Sequence, residues 1–130
     1  MTTTSMQAQF DTIAEHLLTQ NRKSLDRSGE CVYRGPNGAR CAIGAIIPPE
    51  AYKPNMEGEN VLTLLEQDLR PLLALSDADS KTTTDFYIDM QNIHDANEPE
   101  DWPKLLAESA LERGLDTSII TDTAGDTHVD

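Results

Sequence analysis

Residues 31–44, CVYRGPNGARCAIG, constrain the fold more than any other stretch, because Gly35-Pro36-Asn37-Gly38 forces the chain to reverse direction. Proline presets φ, and Asn and Gly tolerate positive φ, so these four residues form a turn between two flanks that carry apolar side chains. The pattern predicts a β-hairpin with arms over 30–34 and 39–43. A loop of two or four residues would send Cys31 and Cys41 to opposite faces, and a loop of three would put them on one face, since side chains alternate along a strand. The spacing does not decide whether the thiols meet.

The other elements read as helices. Met6, Phe10, Ile13, Ala14, Leu17 and Leu18 recur at helical spacing, with Thr2 to Ser5 offering N-caps and Thr4 with Gln7 matching a capping box. This helix should end among residues 21–24. Pro48 and Pro49 stop any regular element, leaving 49–59 as a loop or a single helical turn. Asn60 is placed to cap a helix carrying Val61, Leu62, Leu64, Leu65 and Leu69, which Pro71 stops or kinks. Thr83 or Thr84 would cap a third helix with Phe86, Met90 and Ile93. A fourth begins near residues 99–103, buries Trp102, Leu105, Leu106 and Ala110, and closes on Gly114 with Leu115 folded back.

The fold class implied is α+β: a mostly helical single domain over residues 1–115, with about four helices and one β-hairpin, followed by a disordered acidic tail over 116–130. With 130 residues, only six of them Phe, Trp or Tyr, the core should be a modest one built on Leu, Ile, Ala and Val.

The formal charge of −13 is segregated. Six basic residues balance five acidic ones through Asn55, whereas four face eighteen from Met56 onward. Such a surface repels nucleic acid, which is bound by Lys and Arg neutralising phosphates, so no direct nucleic-acid partner is expected. It suits the basic surface of a protein partner, and it would equally keep a small protein soluble. Two cysteines make no disulfide framework, and MTTTSMQAQF lacks the basic and apolar regions of a secretory signal, so the expectation is a cytoplasmic protein with free thiols and no membrane role.

Four constellations bear on chemistry. Cys31, Cys41, His16, His94 and His128 are the candidate metal ligands, but no C-x-x-C or H-x-x-x-H spacing joins them, and no metal or other cofactor is expected. Cys41 with His94 could form a nucleophile and base. Asp95 looks poorly placed to orient that ring, because consecutive helical residues point about 100° apart. Arg34 and Arg40 flank the turn and could hold a phosphate or carboxylate, although RGPNG is not a phosphate loop, and pairing with Glu30 or Glu50 explains them as well. Finally, Asp85, Asp89, Asp95, Glu98, Glu100, Asp101, Glu108, Glu112 and Asp116 fall mostly on outward helix faces, where rows of carboxylates can imitate nucleic-acid phosphates or simply be solvated.

CVYRGPNGARCAIGAIIPPEAYKPNMEG, the leucine-rich helix after it, NIHDAN and the Trp helix together resemble a family of small uncharacterised proteins from bacteriophage and bacterial genomes. The resemblance spans roughly residues 8–115, with 45–50 an approximate match. It implies a setting, that of a mobile-element accessory protein.

The leading expectation is a non-enzymatic acidic accessory protein, phage or mobile-element encoded, that binds and inhibits a host protein through its basic surface, with nucleic-acid mimicry as one route. Asp95, Glu98, Glu100, Asp101, Glu108 and Glu112, with Arg34 and Arg40, would make the contacts. The alternative is a small cysteine-dependent enzyme using Cys41 and His94 on an anionic substrate.

Overall fold

The computed structural model describes residues 4–125, and among them no β-strand forms: six α-helices and their connections make a single helical domain. The α+β expectation is therefore corrected to all-helical. Of the hairpin only its turn and a single bridge beside it survive. Asn37 at φ 61° and Gly38 at φ 76° close a 3-10 turn over Pro36–Gly38, Gly35 N–H donates to Ala39 O at 2.8 Å, and Arg34 and Arg40 form one isolated antiparallel bridge.

The arms fail to extend because other groups take their backbone. The Glu57 carboxylate accepts from the N–H groups of Tyr33 and Arg34 at 2.8 and 3.1 Å. The Gln20 side chain accepts from Arg40 N–H at 2.9 Å and donates to Arg40 O at 2.9 Å. Beyond Cys41 the chain coils into successive turns, with Ala45 N–H on Cys41 O and Ile46 and Ile47 N–H on Ile43 O. A backbone already satisfied by side chains gains nothing from a ladder.

Helix α1, Met6–Gln20, is capped by Ser5, whose Oγ accepts from Ala8 N–H at 3.1 Å, and ends on Asn21 at φ 52°. Thr4 bridges to Leu75, and Gln7 reaches Asp116, so the capping box expected from that pair does not form. Asn60 caps α2, Val61–Leu64, as its position predicts. A π-helical turn, Leu65–Leu69, then leads into α3, Arg70–Leu73. Pro71, which has no N–H to donate, sits in the first turn of α3, so the helix widens before the proline.

Helix α4, Ser80–Ala96, starts earlier than Thr83 because Asp79 is its cap, accepting from Thr82 N–H at 2.7 Å. Helix α5, Trp102–Glu112, follows a 3-10 turn at Pro99–Asp101. It ends as expected: Gly114 at φ 70° donates to Leu111 O and Leu115 N–H returns to Ala110 O at 2.8 Å.

The expected disordered tail is corrected for its first part. Ser118–Gly125 is helix α6, which packs on α1 and α5 and buries Ile120. Gln7 fastens the approach to it, accepting from Asp116 N–H at 2.8 Å and donating to Asp116 O at 3.1 Å. Residues 126–130, and with them His128, lie outside the described residues.

The core rests mainly on Leu, Ile, Ala and Val, as expected, and a few aromatic rings add its bulkiest members. Trp102, Tyr87, Phe10 and Phe86 are its largest fully buried side chains, with Phe86 and Tyr87 centroids 5.2 Å apart, alongside Ile13, Leu17, Ile43, Leu65 and Leu69. No helix among the described residues is long and apolar enough to cross a membrane.

Candidate functional site

The C-terminal half of α4 meets the irregular segment after α1, and the contact is polar. Ser24 N–H donates to His94 Nε2 at 2.9 Å, and His94 Nδ1 lies 2.6 Å from Asp95 Oδ1. A nitrogen that accepts a hydrogen bond carries no proton, so the network assigns the ring as the neutral Nδ1–H tautomer, donating to Asp95. The pair is a hydrogen bond between a neutral ring and a carboxylate. His94 itself is fully buried and stacks on Trp102, centroids 5.4 Å apart.

Asp95 thus orients His94, contrary to the expectation from helical geometry. The 100° between consecutive residues applies to Cβ directions, and two short side chains at a helix edge close that angle through their torsions. Gln91, one turn earlier, donates from Nε2 to Asp95 Oδ1 and Oδ2 at 3.1 and 3.2 Å, while its Oε1 accepts from Ile43 N–H at 3.0 Å.

Cys31, His94 and Asp95 bring their ligand atoms within 4.8 Å of one another. The cluster is not arranged for nucleophilic chemistry. Burial, reinforced by the Asp95 charge, pushes the Cys31 thiol up to about 11, and Nε2 of the neighbouring His94 is already occupied by Ser24. The same hydrogen bond counts against the ring as a metal ligand, since the Nδ1 that meets Asp95 bears the proton.

Cys41 lacks what catalysis needs. It is sealed in the core, Gly44 N–H donates to its Sγ at 3.2 Å, and burial raises the thiol to about 12. A nucleophile must be exposed and ionisable, and this one is neither. Gly44 itself is required by close packing, because a Cβ there would stand 1.9 Å from Tyr33 O.

Arg34 and Arg40 do not pair with Glu30 or Glu50: the described ion pairs are Lys23–Glu98, Lys81–Asp85 and Arg113–Asp89. The Arg34 guanidinium lies over the Tyr52 ring at 4.4 Å and donates to Ile47 O at 3.3 Å. Tyr52 in turn donates to Glu57 at 2.7 Å, so Arg34 belongs to the Glu57 cluster that holds residues 33–34.

The six expected acidic contacts separate. Asp95, its side chain 35% exposed, lines a cleft of about 470 Å³ together with Cys31, Tyr33, Glu59, Leu62 and Ile88. Glu108 and Glu112 line a different groove between α4 and α5, where Asp89 accepts from Ser109 and Arg113. Glu98 reaches Lys23 at 3.7 Å, and Glu100 and Asp101 project from the 3-10 turn. Sequence reasoning did not single out Gln91, Ser24 or Glu57. Gln91 and Asp95 at i and i+4 were a readable signal, whereas the reach of Glu57 across 24 residues to Tyr33 was not.

No family model, curated protein or solved structure matches the chain.

Proposed function

We propose that this chain is a non-enzymatic accessory protein, encoded by a phage or other mobile element, that binds the basic surface of a host protein in the host cytoplasm and inhibits it. The observation that carries the reading is the set of exposed carboxylates Glu100, Asp101, Glu108 and Glu112, none of which meets a Lys or Arg among the described ion pairs. In a chain of net charge −13 these groups remain free to face a cationic partner, including a groove that otherwise takes nucleic acid. The geometry around Cys41 and Cys31 adds support from the other side, because neither thiol is prepared for nucleophilic attack.

The test is affinity capture from bacterial lysate. The wild-type chain is expected to retain a basic protein at ~0.05 M salt and to release it at ~0.5 M, where charges are screened beyond a few ångströms. Reversing Glu100, Asp101, Glu108 and Glu112 to lysine should abolish capture. Retention that survives both high salt and the reversals removes the acidic surface from the account.

A further inference from the structure

The Asp95 cleft differs from the α4–α5 groove in how its charge is held. Three hydrogen bonds reach the Asp95 carboxylate, all from neutral donors: one from His94 Nδ1 and two from Gln91 Nε2. Both donors are fixed from behind, His94 by Ser24 N–H and Gln91 by Ile43 N–H. The carboxylate is therefore positioned in advance, and none of these donors is a cation that would offset it. The nearest described cation, Lys23, directs its ammonium to the Asp95 backbone carbonyl at 3.3 Å and to Glu98 at 3.7 Å.

Beside that charge one part of the lining is apolar. Val32, Val61, Leu62 and Ile88 line the cleft together with the polar Asn60, Gln91 and Asn92, and Glu59 is the other acidic residue of the lining. An anion is repelled from such a site. A neutral polar group meets no charge of its own to offset Asp95. A long side chain with a hydrocarbon stem and a cationic head satisfies both parts, since Lys and Arg bury their stems while the head seeks a polar partner. The volume of about 470 Å³ also leaves room for an apolar neighbour of that side chain.

We propose that this cleft binds an arginine or lysine side chain of the basic protein partner, with its stem against Val61, Leu62 and Ile88 and its head on the Asp95 carboxylate. The proposal rests on the protein-binding reading above and gives that reading a specific anchor point.

The test is an NMR titration of the full chain with acetyl-Leu-Arg-Leu-amide and with its citrulline isostere, which keeps the shape and removes the charge. The arginine peptide should shift the Gln91 side-chain amide, Asn92 and Gly58, and bind at least ~tenfold more tightly than the citrulline peptide, as expected for loss of a charge-assisted contact. Asp95→Asn should erase that difference. Should Asp95→Asn fail to fold, Leu62→Lys provides the same test: Leu62 is 42% exposed, and a lysine there places a tethered ammonium in the cleft and blocks the peptide. Glu108→Gln with Glu112→Gln should bind as the wild type. Equal affinity for both peptides, no shifts with the arginine peptide, or indifference to Asp95→Asn or Leu62→Lys overturns the proposal. Shifts confined to residues around Glu108 and Glu112 overturn it too, yet leave the basic-partner reading standing, because that reading fails only in the capture with the four reversed acids.

Discussion

Gly44→Ala is the substitution with the most direct consequence. The added Cβ would lie 1.9 Å from Tyr33 O and 2.8 Å from Tyr33 C, both backbone atoms that no rotamer change can move. Ordinary contact begins near 3.4 Å, so one backbone must retreat by about 1.5 Å. That movement breaks the Cys41 N–H bond to Tyr33 O and strains the two bonds from Tyr33 and Arg34 to Glu57. One ordinary hydrogen bond contributes about 0.5–1.5 kcal/mol and one to a charged group about 1.5–3 kcal/mol. Alanine returns about 0.4–1 kcal/mol by restricting the unfolded chain, leaving a net loss of about 2–4 kcal/mol. Gly38→Ala is the control: its φ of 76° penalises a side chain by about 1–2 kcal/mol, but nothing stands within 4 Å of the added Cβ. In urea unfolding the Gly44→Ala midpoint should fall by about 1–2 M and further than that of Gly38→Ala. A Gly44→Ala protein as stable as the control would refute the close approach of 44 to 33.

Two further predictions concern charge. Glu57→Gln replaces a carboxylate that accepts from Tyr33 N–H, Arg34 N–H and Tyr52 Oη–H by an amide whose NH2 must face a donor, and should cost about 1–3 kcal/mol in the same assay; a change below about 0.5 kcal/mol would contradict that arrangement. The thiols, raised from 9 to about 11 at Cys31 and about 12 at Cys41, should resist iodoacetamide at neutral pH, with Cys31 reacting first on alkaline titration and Cys41 only after unfolding. Because the unfolded thiols ionise first, the unfolded state holds fewer protons between 9 and these values, so their contribution to stability is complete below pH 9 and declines as pH rises above it. Rapid labelling of Cys31 near pH 7 would count against its burial beside Asp95.

Local signals were legible wherever one residue acts on its own neighbours. The stripe of α1, the Asn60 cap and the Gly114–Leu115 ending all rest on contacts within about five residues, and sequence spacing specifies those directly. The turn at 36–38 was legible for the same reason, as Asn37 and Gly38 adopt the positive φ their types allow. Extension into strands was a different inference, because it assumed that the two arms had no better partners. Gln20 and Glu57 are those partners, and nothing in an isolated glutamine or glutamate says which distant N–H it will meet. The candidate site divides the same way. His94 and Asp95 were visible as polar residues, while the burial of Cys41 and the Ser24 bond that assigns the tautomer depend on tertiary packing.

The missing hairpin and the cleft have one cause. In a ladder, residues 30–34 would direct their backbone bonds at residues 39–43 and nothing would draw a third segment alongside. Here Glu57 takes the N–H groups of Tyr33 and Arg34, and Tyr33 Oη–H donates to Glu59 O. Those bonds bring residues 57–59, and with them the start of α2, beside residues 31–33. The space left between these two segments and α4 is the cleft that Asp95 faces. The same carboxylate therefore suppresses the sheet and shapes the site, so Glu57→Gln should weaken the arginine peptide as well as the fold, whereas Gly38→Ala, which leaves residues 57–62 untouched, should lower stability alone.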